Sequence, residues 1–205
     1  MSERAIIPWR DWFHCMFNTY GTCGDPRGFR TRHHREHVDG DYKNPPPNGK
    51  YDKLYKQSKR LMNRESVHIA SDRQQFVLDE VCGKLVLLGV QIIAAILDDH
   101  HLHLLARFED RQPRRWIGMA KKHASHMCRG FPDYQAGGLW GKRCECLPIE
   151  RQSHQRETFF YLLEHHLRGA TVWVAPEFRV KLPSALEMTR KRRAAKEARR
   201  QKGRR

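Results

Sequence analysis

Apolar positions recur along the chain with the period of strands in some segments and of helices in others. Residues 12–20 are rich in aromatic side chains and end at a turn-prone stretch, residues 21–26, which predicts a first strand. Residues 91–98, which contain the most apolar run of the chain (Ile92 to Leu97), and the following residues 101–108 are close enough to form a hairpin of two strands. Residues 140–149 are the fourth strand candidate.

Helical spacing predicts three helices around these strands. The first begins at Asp72, which is a residue type that caps helices, and continues to about residue 88. The second covers about residues 113–129. The third begins at an N-cap, Ser153, and ends at about residue 168, before Gly169. The order of elements is that of a split βαβ unit, so we expect an α+β fold with a ferredoxin-like antiparallel sheet and one added C-terminal helix.

Two segments do not fit this pattern. Residues 28–65 are charged and contain Pro45-Pro46-Pro47-Asn48-Gly49, so we expect a long polar excursion with little core of its own. The chain beyond Pro183 is helical by propensity but has nothing to bury. We therefore expect one domain over residues 1–176 and a basic C-terminal tail over residues 177–205 that is mobile when unbound.

The composition adds a large positive charge. The formal net charge is +16 in 205 residues, and the last 16 of them hold ten Lys and Arg against Glu197 alone. The rest of the chain is still basic. This excess indicates a polyanionic partner, most often nucleic acid. A basic run such as the tail usually binds phosphates without reading sequence.

The sequence argues against membrane and secreted classes. It contains no apolar run of membrane-spanning length, and its first residues do not resemble a secretory signal. We therefore expect a cytoplasmic protein without membrane association, whose six cysteines are reduced thiols. Cys144-Glu145-Cys146 lacks the second cysteine pair of a structural zinc site, which favours packed thiols there.

Candidate chemistry first appears in Asp99-His100-His101-Leu102-His103-Leu104-Leu105. Because side chains alternate along a strand, His101 and His103 point to the same face and could share one ion. Leu102 and Leu104 then face the packed side, and we expect the histidine face to be exposed to solvent. A His-x-His pair is weak evidence by itself in a chain with 13 histidines.

The last predicted helix carries a second group of candidates. At about 100° per residue, Tyr161 and His165 lie together one turn apart, on the side opposite the apolar residues. Tyr161 could be a packing residue and His165 a solvated one. If both are functional, His101, His103 and His165 would suit a divalent ion with open positions for phosphate oxygens. The apolar side that must face the core holds Phe159, Phe160, Leu162, Leu163 and Leu167.

These residues together resemble the single-tyrosine HUH transposases, and more closely their REP-associated branch, over about residues 12–174. His165 departs from the family pattern, which has Gln or Asn four residues after the tyrosine, and replaces one metal ligand by another. His165-His166 also stands where that branch often has Asn-Pro. The matching segments are His101-Leu102-His103 (the metal strand), Lys121 (a helix lysine), Gly138-Leu139-Trp140 (the start of the fourth strand) and Tyr161-Leu162-Leu163-Glu164-His165 (the catalytic motif).

The resemblance implies an enzyme, a transposase that cleaves and rejoins single-stranded DNA through a 5′-phosphotyrosine. Tyr161 is then the catalytic residue on the C-terminal helix, and Mg²⁺ or Mn²⁺ is the cofactor. The partner is single-stranded or hairpin DNA, bound by a monomer or a homodimer. We expect the basic residues that contact the DNA to be Lys121, Lys122, Arg129 and Arg168.

Two other classes stay open. A non-catalytic nucleic-acid-binding protein on the same fold, such as a domesticated transposase, explains the charge but leaves the histidine pair without a role. A metal-dependent hydrolase of small phosphoesters explains the histidines, but it has no use for the basic tail.

Overall fold

The computed structural model describes residues 9–22 and 49–202. A short 3-10 turn, Cys128–Gly130, follows the third helix. The strands are β1 Trp12–Asn18, β2 Gln91–Leu97, β3 His101–Arg107, β4 Glu145–Pro148 and β5 Thr171–Val174, and the helices are α1 Asp52–Arg60, α2 Ser71–Leu87, α3 Pro113–Met127, α4 Gln152–His166, α5 Pro176–Arg179 and α6 Leu182–Lys202.

The described strands form one antiparallel sheet in the order β4-β1-β3-β2-β5. β3 pairs with β1 on one side and with β2 on the other, and β4 pairs with β1. The predicted α+β class and the ferredoxin-like arrangement of the first four strands are therefore confirmed. β5, which pairs with β2, was not predicted, because it has only four residues and follows the turn at Gly169, where φ is +104°.

The sheet is packed on both faces. One face carries α2 and α3, and its core includes Phe17, Leu102 and Leu104. The other face carries α4 through Leu162, which packs with Leu105. Leu105 is on the same face of β3 as His101 and His103, so α4 covers the face that we expected to be exposed to solvent. That expectation is wrong: His103 is only 4% exposed.

Three boundaries differ from the predictions for local reasons. Asp72 and Ser153 lie inside α2 and α4, and the N-caps are Ala70 and Arg151, whose side chains make no capping hydrogen bond to the described backbone. β4 is shorter than residues 140–149, and only an isolated bridge at Trp140 precedes it. The carbonyls of residues 141 and 143 accept hydrogen bonds from a lysine on α3, so they do not pair with a neighbouring strand.

The two polar segments are more structured than we predicted. Part of the excursion, residues 28–48, lies outside the described residues. Its remainder contains α1, in which no residue is buried, as expected for a segment with little core. Lys59 of α1 donates hydrogen bonds to the carbonyl of Gly21 and the hydroxyl of Ser66, and these contacts attach the helix to the domain.

The basic tail forms α6, as its propensity predicts, and this helix packs on α4. Thr189 is fully buried, Lys196 lies 2.6 Å from Glu164 and Arg192 lies 2.5 Å from Glu157. The expectation that the tail has nothing to bury is therefore wrong. Acidic residues of α4 form ion pairs with the basic residues of α6 at this contact. Among the described helices, none is long and apolar enough to cross a membrane.

Candidate active site

Three histidines converge on the α4 face of the sheet. His101 and His103 come from alternate positions of β3, and His165 comes from α4. Their ligand nitrogens all lie within 4.8 Å of one another. The ring centroids of His103 and His165 are 4.8 Å apart, and those of His101 and His165 are 5.5 Å apart. One chain therefore brings the three predicted ligands together without a second copy.

Tyr161 borders this cluster. Its ring centroid lies 4.8 Å from that of His165 and 5.5 Å from that of His103. Tyr161 and His165 share one side of α4, as predicted. That side is not opposite the core, however, because it faces the histidines at the margin of the sheet. Tyr161 keeps 41% of its surface exposed, so a large substrate could reach it.

The carboxylate of Asp98 contacts His101. Oδ2 of Asp98, in the turn between β2 and β3, lies 2.6 Å from Nδ1 of His101. Burial alone would raise the pKa of Asp98, but hydrogen bonds from His101 and from the backbone N–H of His100 lower it well below its ordinary value. Metal-bound histidines commonly donate their second ring nitrogen to a carboxylate in this way, which leaves Nε2 free for an ion.

His14 is the residue that the sequence analysis missed. It lies on β1, is 8% exposed, and its Nε2 is 3.1 Å from Nδ1 of His103. The two rings stack with centroids 5.3 Å apart. The sequence does contain a sign of this position, because side chains alternate between the two faces of β1. Phe13 and Phe17 face the core under α2 and α3, so His14 lies on the histidine face. The pairing of Met16 with His103 then places His14 diagonally across from that histidine.

Burial keeps His14, His103 and His165 uncharged. It lowers the pKa of His103 to about 2 and that of His14 to about 4, and neighbouring histidines add to both shifts. The pKa of His165 is lowered as well, by burial and then by His101 and Arg168. All three imidazoles are thus neutral at neutral pH, which is the form that binds metal ions.

Nε2 of His165 is buried and makes no hydrogen bond to any residue that the structure describes. Nδ1 of His101 is a second buried ring nitrogen on this face, and it lies 2.6 Å from the Asp98 carboxylate. A buried polar atom without a partner is costly. A divalent ion held by the three histidines would provide that partner, so the residues fit a metal centre. Imidazole is a poor ligand for Mg²⁺ and a better one for transition metals, so Mn²⁺ fits better than Mg²⁺.

His100 lies next to the cluster on the turn side. Its Nδ1 is 2.5 Å from Asp99 and 3.6 Å from Asp98. Asp98, His100 and His101 form a second group whose ligand atoms lie within 4.8 Å of one another. Because this group shares His101 with the first, and Asp98 already orients that histidine, His100 is a neighbour of the centre.

A polar cleft opens beside Tyr161, between α4 and α6. Its volume is about 380 Å³, and His14 and Tyr161 form part of its wall. The pKa of Tyr161 is raised, mainly by burial and against the effect of Arg168, so the hydroxyl is protonated at neutral pH. The residues that line the cleft on the helix side are Glu157, Thr158, Phe160, Glu164, Arg192 and Lys196.

The four predicted DNA-binding residues lie in two places. Arg168 is exposed just after α4 and acts electrostatically on Tyr161 and His165. Lys122 and Arg129 are exposed on the α3 side of the molecule, on the other face of the sheet. They line a groove of about 660 Å³ with Lys142, and none of its described lining residues is acidic.

Lys121 also borders this groove but is nearly buried. Its Nζ donates hydrogen bonds to the carbonyls of Gly141 (2.5 Å) and Arg143 (3.4 Å). Its Nζ also lies 5.4 Å from the centre of the Phe17 ring. The residue therefore holds the segment that leads into β4, and its predicted contact with DNA stays a prediction.

Comparison with known proteins identifies distant structural similarity alone. No protein-family model and no curated protein matches the chain. A solved structure of a REP-associated tyrosine transposase bound to a REP hairpin is similar at 14% sequence identity and a TM-score of 0.42. The match covers 82% of this chain and 74% of that one. The functional conclusion below therefore depends on the geometry of the site.

Proposed function

We propose that the protein is a metal-dependent tyrosine transposase that cleaves and rejoins single-stranded DNA. The observation that carries this proposal is the convergence of Tyr161 with His101, His103 and His165. A tyrosine beside a cluster of three imidazoles provides a nucleophile and a metal centre within one site. The basic charge of the chain supplies the attraction for a polyanionic substrate.

In the proposed reaction, the hydroxyl oxygen of Tyr161 attacks the phosphorus of a DNA phosphodiester. A bond forms between that oxygen and phosphorus, the bond from phosphorus to the 3′-oxygen breaks, and the 5′-phosphate stays on the tyrosine. The proton that the tyrosine loses balances the one that the departing 3′-hydroxyl gains. Because the phosphotyrosine keeps the energy of the phosphodiester, the reverse attack by a 3′-hydroxyl reseals a strand without ATP.

The three histidines would hold a divalent ion, which when bound supplies charge stabilisation at the phosphate. Asp98 orients His101, and His14 orients His103. The rings of His101 and His103 would therefore both present Nε2 to the centre. Tyr161 needs this environment because its pKa is raised above 10, and a neutral phenol is a weak nucleophile.

The exposed basic residues would contact DNA on both faces of the sheet. Arg168 lies beside the nucleophile and would bind a phosphate near the cleaved bond. Lys122 and Arg129 would bind the backbone in the α3 groove on the opposite face, with Lys121 holding one wall.

A cleavage assay tests the proposal. Labelled DNA oligonucleotides that combine a hairpin with single-stranded flanks are incubated with protein and Mn²⁺, Mg²⁺ or a chelator, and run on a denaturing gel. We expect a covalent protein–DNA adduct with the metal, none with chelator and none with Tyr161→Phe. Tyr20→Phe is the matched control and keeps the adduct, because that tyrosine lies on the other side of the sheet. An adduct that persists in Tyr161→Phe overturns the assignment of the nucleophile.

A non-catalytic nucleic-acid-binding protein is the second candidate, and the acid-free groove on α3 favours it. In that case the protein binds DNA equally well with and without chelator and forms no adduct with any hairpin-containing strand. Binding that Lys122→Glu and Arg129→Glu weaken, in the absence of any cleavage, would select this candidate over the transposase.

A further inference from the structure

A group of three cysteines lies on the face of the sheet that carries α2 and α3, away from the histidines. Sγ of Cys144 and Sγ of Cys146 are 3.4 Å apart, which is close to contact. Cys15 of β1 is the direct cross-strand partner of Cys146 in β4. The transposase proposal gives no role to these thiols.

The two close thiols are accessible, unlike the other described cysteines. Cys144 and Cys146 are half-buried near the edge of the sheet, whereas Cys15, Cys82 and Cys128 are buried. An oxidant dissolved in water therefore reaches this pair first. Cys144 lies just before β4 begins, so its backbone is outside the strand ladder.

The surroundings favour a thiolate at one member of the pair. Hydrogen bonds from Cys144 and Cys15 lower the pKa of Cys146, and the nearby charges of Arg114 and Lys121 act in the same direction. Burial raises the pKa of Cys82 well above its usual range and that of Cys128 to about 11. Reactivity toward oxidants follows the thiolate form, so Cys82 and Cys128 are inert by comparison.

We propose that Cys144 and Cys146 form a reversible oxidation site that closes to a disulfide when a hydroperoxide is present. The thiolate sulfur of Cys146 attacks one peroxide oxygen and the O–O bond breaks. The departing hydroxide takes up the proton that the thiol had released, so a sulfenic acid and one water form. The sulfur of Cys144 then attacks the sulfenic sulfur, a second water leaves, and the S–S bond forms. In sum, two thiols and one hydrogen peroxide give one disulfide and two waters.

The position of the pair makes this bond easy to reverse. Cys144 and Cys146 are only half-buried, so a dissolved thiol reaches the bond between them. Exposed disulfides are among those that thiols reduce readily. The site would thus respond to the redox state of its surroundings.

Mass spectrometry tests the proposal on the folded, full-length chain. The protein is treated with hydrogen peroxide after removal of metals by a chelator, its free thiols are alkylated, and it is digested with trypsin. Cleavage after Arg143 and Arg151 places both cysteines on the single peptide 144–151. We expect this peptide to lose the mass of two hydrogen atoms and to escape alkylation until dithiothreitol is added.

Two controls keep the result specific. In Cys144→Ser the same peptide cannot lose two hydrogens and gains oxygen instead. The peptides that carry Cys82 and Cys128 stay reduced over the time in which peptide 144–151 closes. A peptide 144–151 that keeps two free thiols, or a bond from Cys146 to Cys15 or Cys23, overturns the proposal. Because the readout involves neither DNA nor metal, its outcome is independent of the transposase assignment.

Discussion

Nε2 of His14 lies 3.1 Å from Nδ1 of His103, and this contact joins β1 to the centre of the histidine cluster. Both rings are buried and neutral. When Nδ1–H of His103 donates to His14, Nε2 of His103 keeps its lone pair for a metal ion. In that arrangement His14 sets the tautomer of a proposed ligand without being one of the three ligands.

Substitution of His14 should weaken metal binding in a way that depends on hydrogen bonding. We expect His14→Phe to lower the affinity for Mn²⁺ by about 10- to 100-fold, and His14→Gln to restore part of it, because an amide can accept the hydrogen bond. Isothermal titration measures both affinities. His126→Gln, an exposed histidine on α3, is the control. Equal affinities in all three variants would remove His14 from the centre.

His165 should tolerate an amide but not a methyl group. We expect His165→Asn to keep measurable adduct formation with Mn²⁺, because an amide oxygen is a metal ligand, and His165→Ala to reduce it at least about 100-fold. Circular dichroism melting of the metal-free variants checks the fold, since His165 is only half-buried. If His165→Ala binds Mn²⁺ as tightly as the natural chain, the third ligand is assigned wrongly.

The metal-free protein should lose stability as the pH falls. The pKa of an unfolded histidine is 6.5, and burial lowers it to about 4 in His14 and about 2 in His103. Between these values the unfolded chain binds more protons, so acid favours unfolding. At pH 5 the cost is about 2 kcal/mol for each of the two histidines.

Urea unfolding at pH 7.5 and pH 5 measures this difference. The stability should be fully present above pH 6.5 and should decline as the pH falls, down to about pH 4 for the part due to His14 and about pH 2 for the part due to His103. His14→Phe should show a smaller decline than the natural chain, because it removes one of the two titrating groups. A decline of the same size in both proteins would show that other groups cause it.

Lys121 should contribute to stability more than its neighbour on α3. Lys121→Met removes the hydrogen bonds to Gly141 and Arg143 and leaves those carbonyls without their donor, at a cost of about 1–3 kcal/mol. Lys122→Met should change the free energy of unfolding by less than about 0.5 kcal/mol, because Lys122 is exposed. Equal stabilities would mean that Lys121 does not hold the start of β4.

Most of the site could be predicted because its parts follow local periodicity. Strand alternation places His101 and His103 together, and helical spacing places Tyr161 with His165. His14 could not be assigned to the cluster in the same way, because its contact with His103 requires the register between β1 and β3, strands that are 89 residues apart at this contact. Local patterns do not encode that register.

The tail and β5 show the other limit of sequence patterns. Residues 182–202 have the composition of a solvated helix, and their packing on α4 depends on Glu157 and Glu164, which the fold places opposite Arg192 and Lys196. β5 has only four residues, too few for a periodic signal. In both cases tertiary contacts supply what the local sequence lacks.

The central claim is that the oxygen of Tyr161 becomes bonded to DNA. Trypsin releases this tyrosine in the peptide 157–168, where it is the only tyrosine. The measurement is mass spectrometry of that peptide after reaction of the protein with a hairpin oligonucleotide and Mn²⁺, followed by nuclease trimming of the DNA. The account predicts a nucleotide joined through its 5′-phosphate to Tyr161. Cleaved DNA together with an unmodified peptide 157–168, or an adduct at another residue, would contradict it.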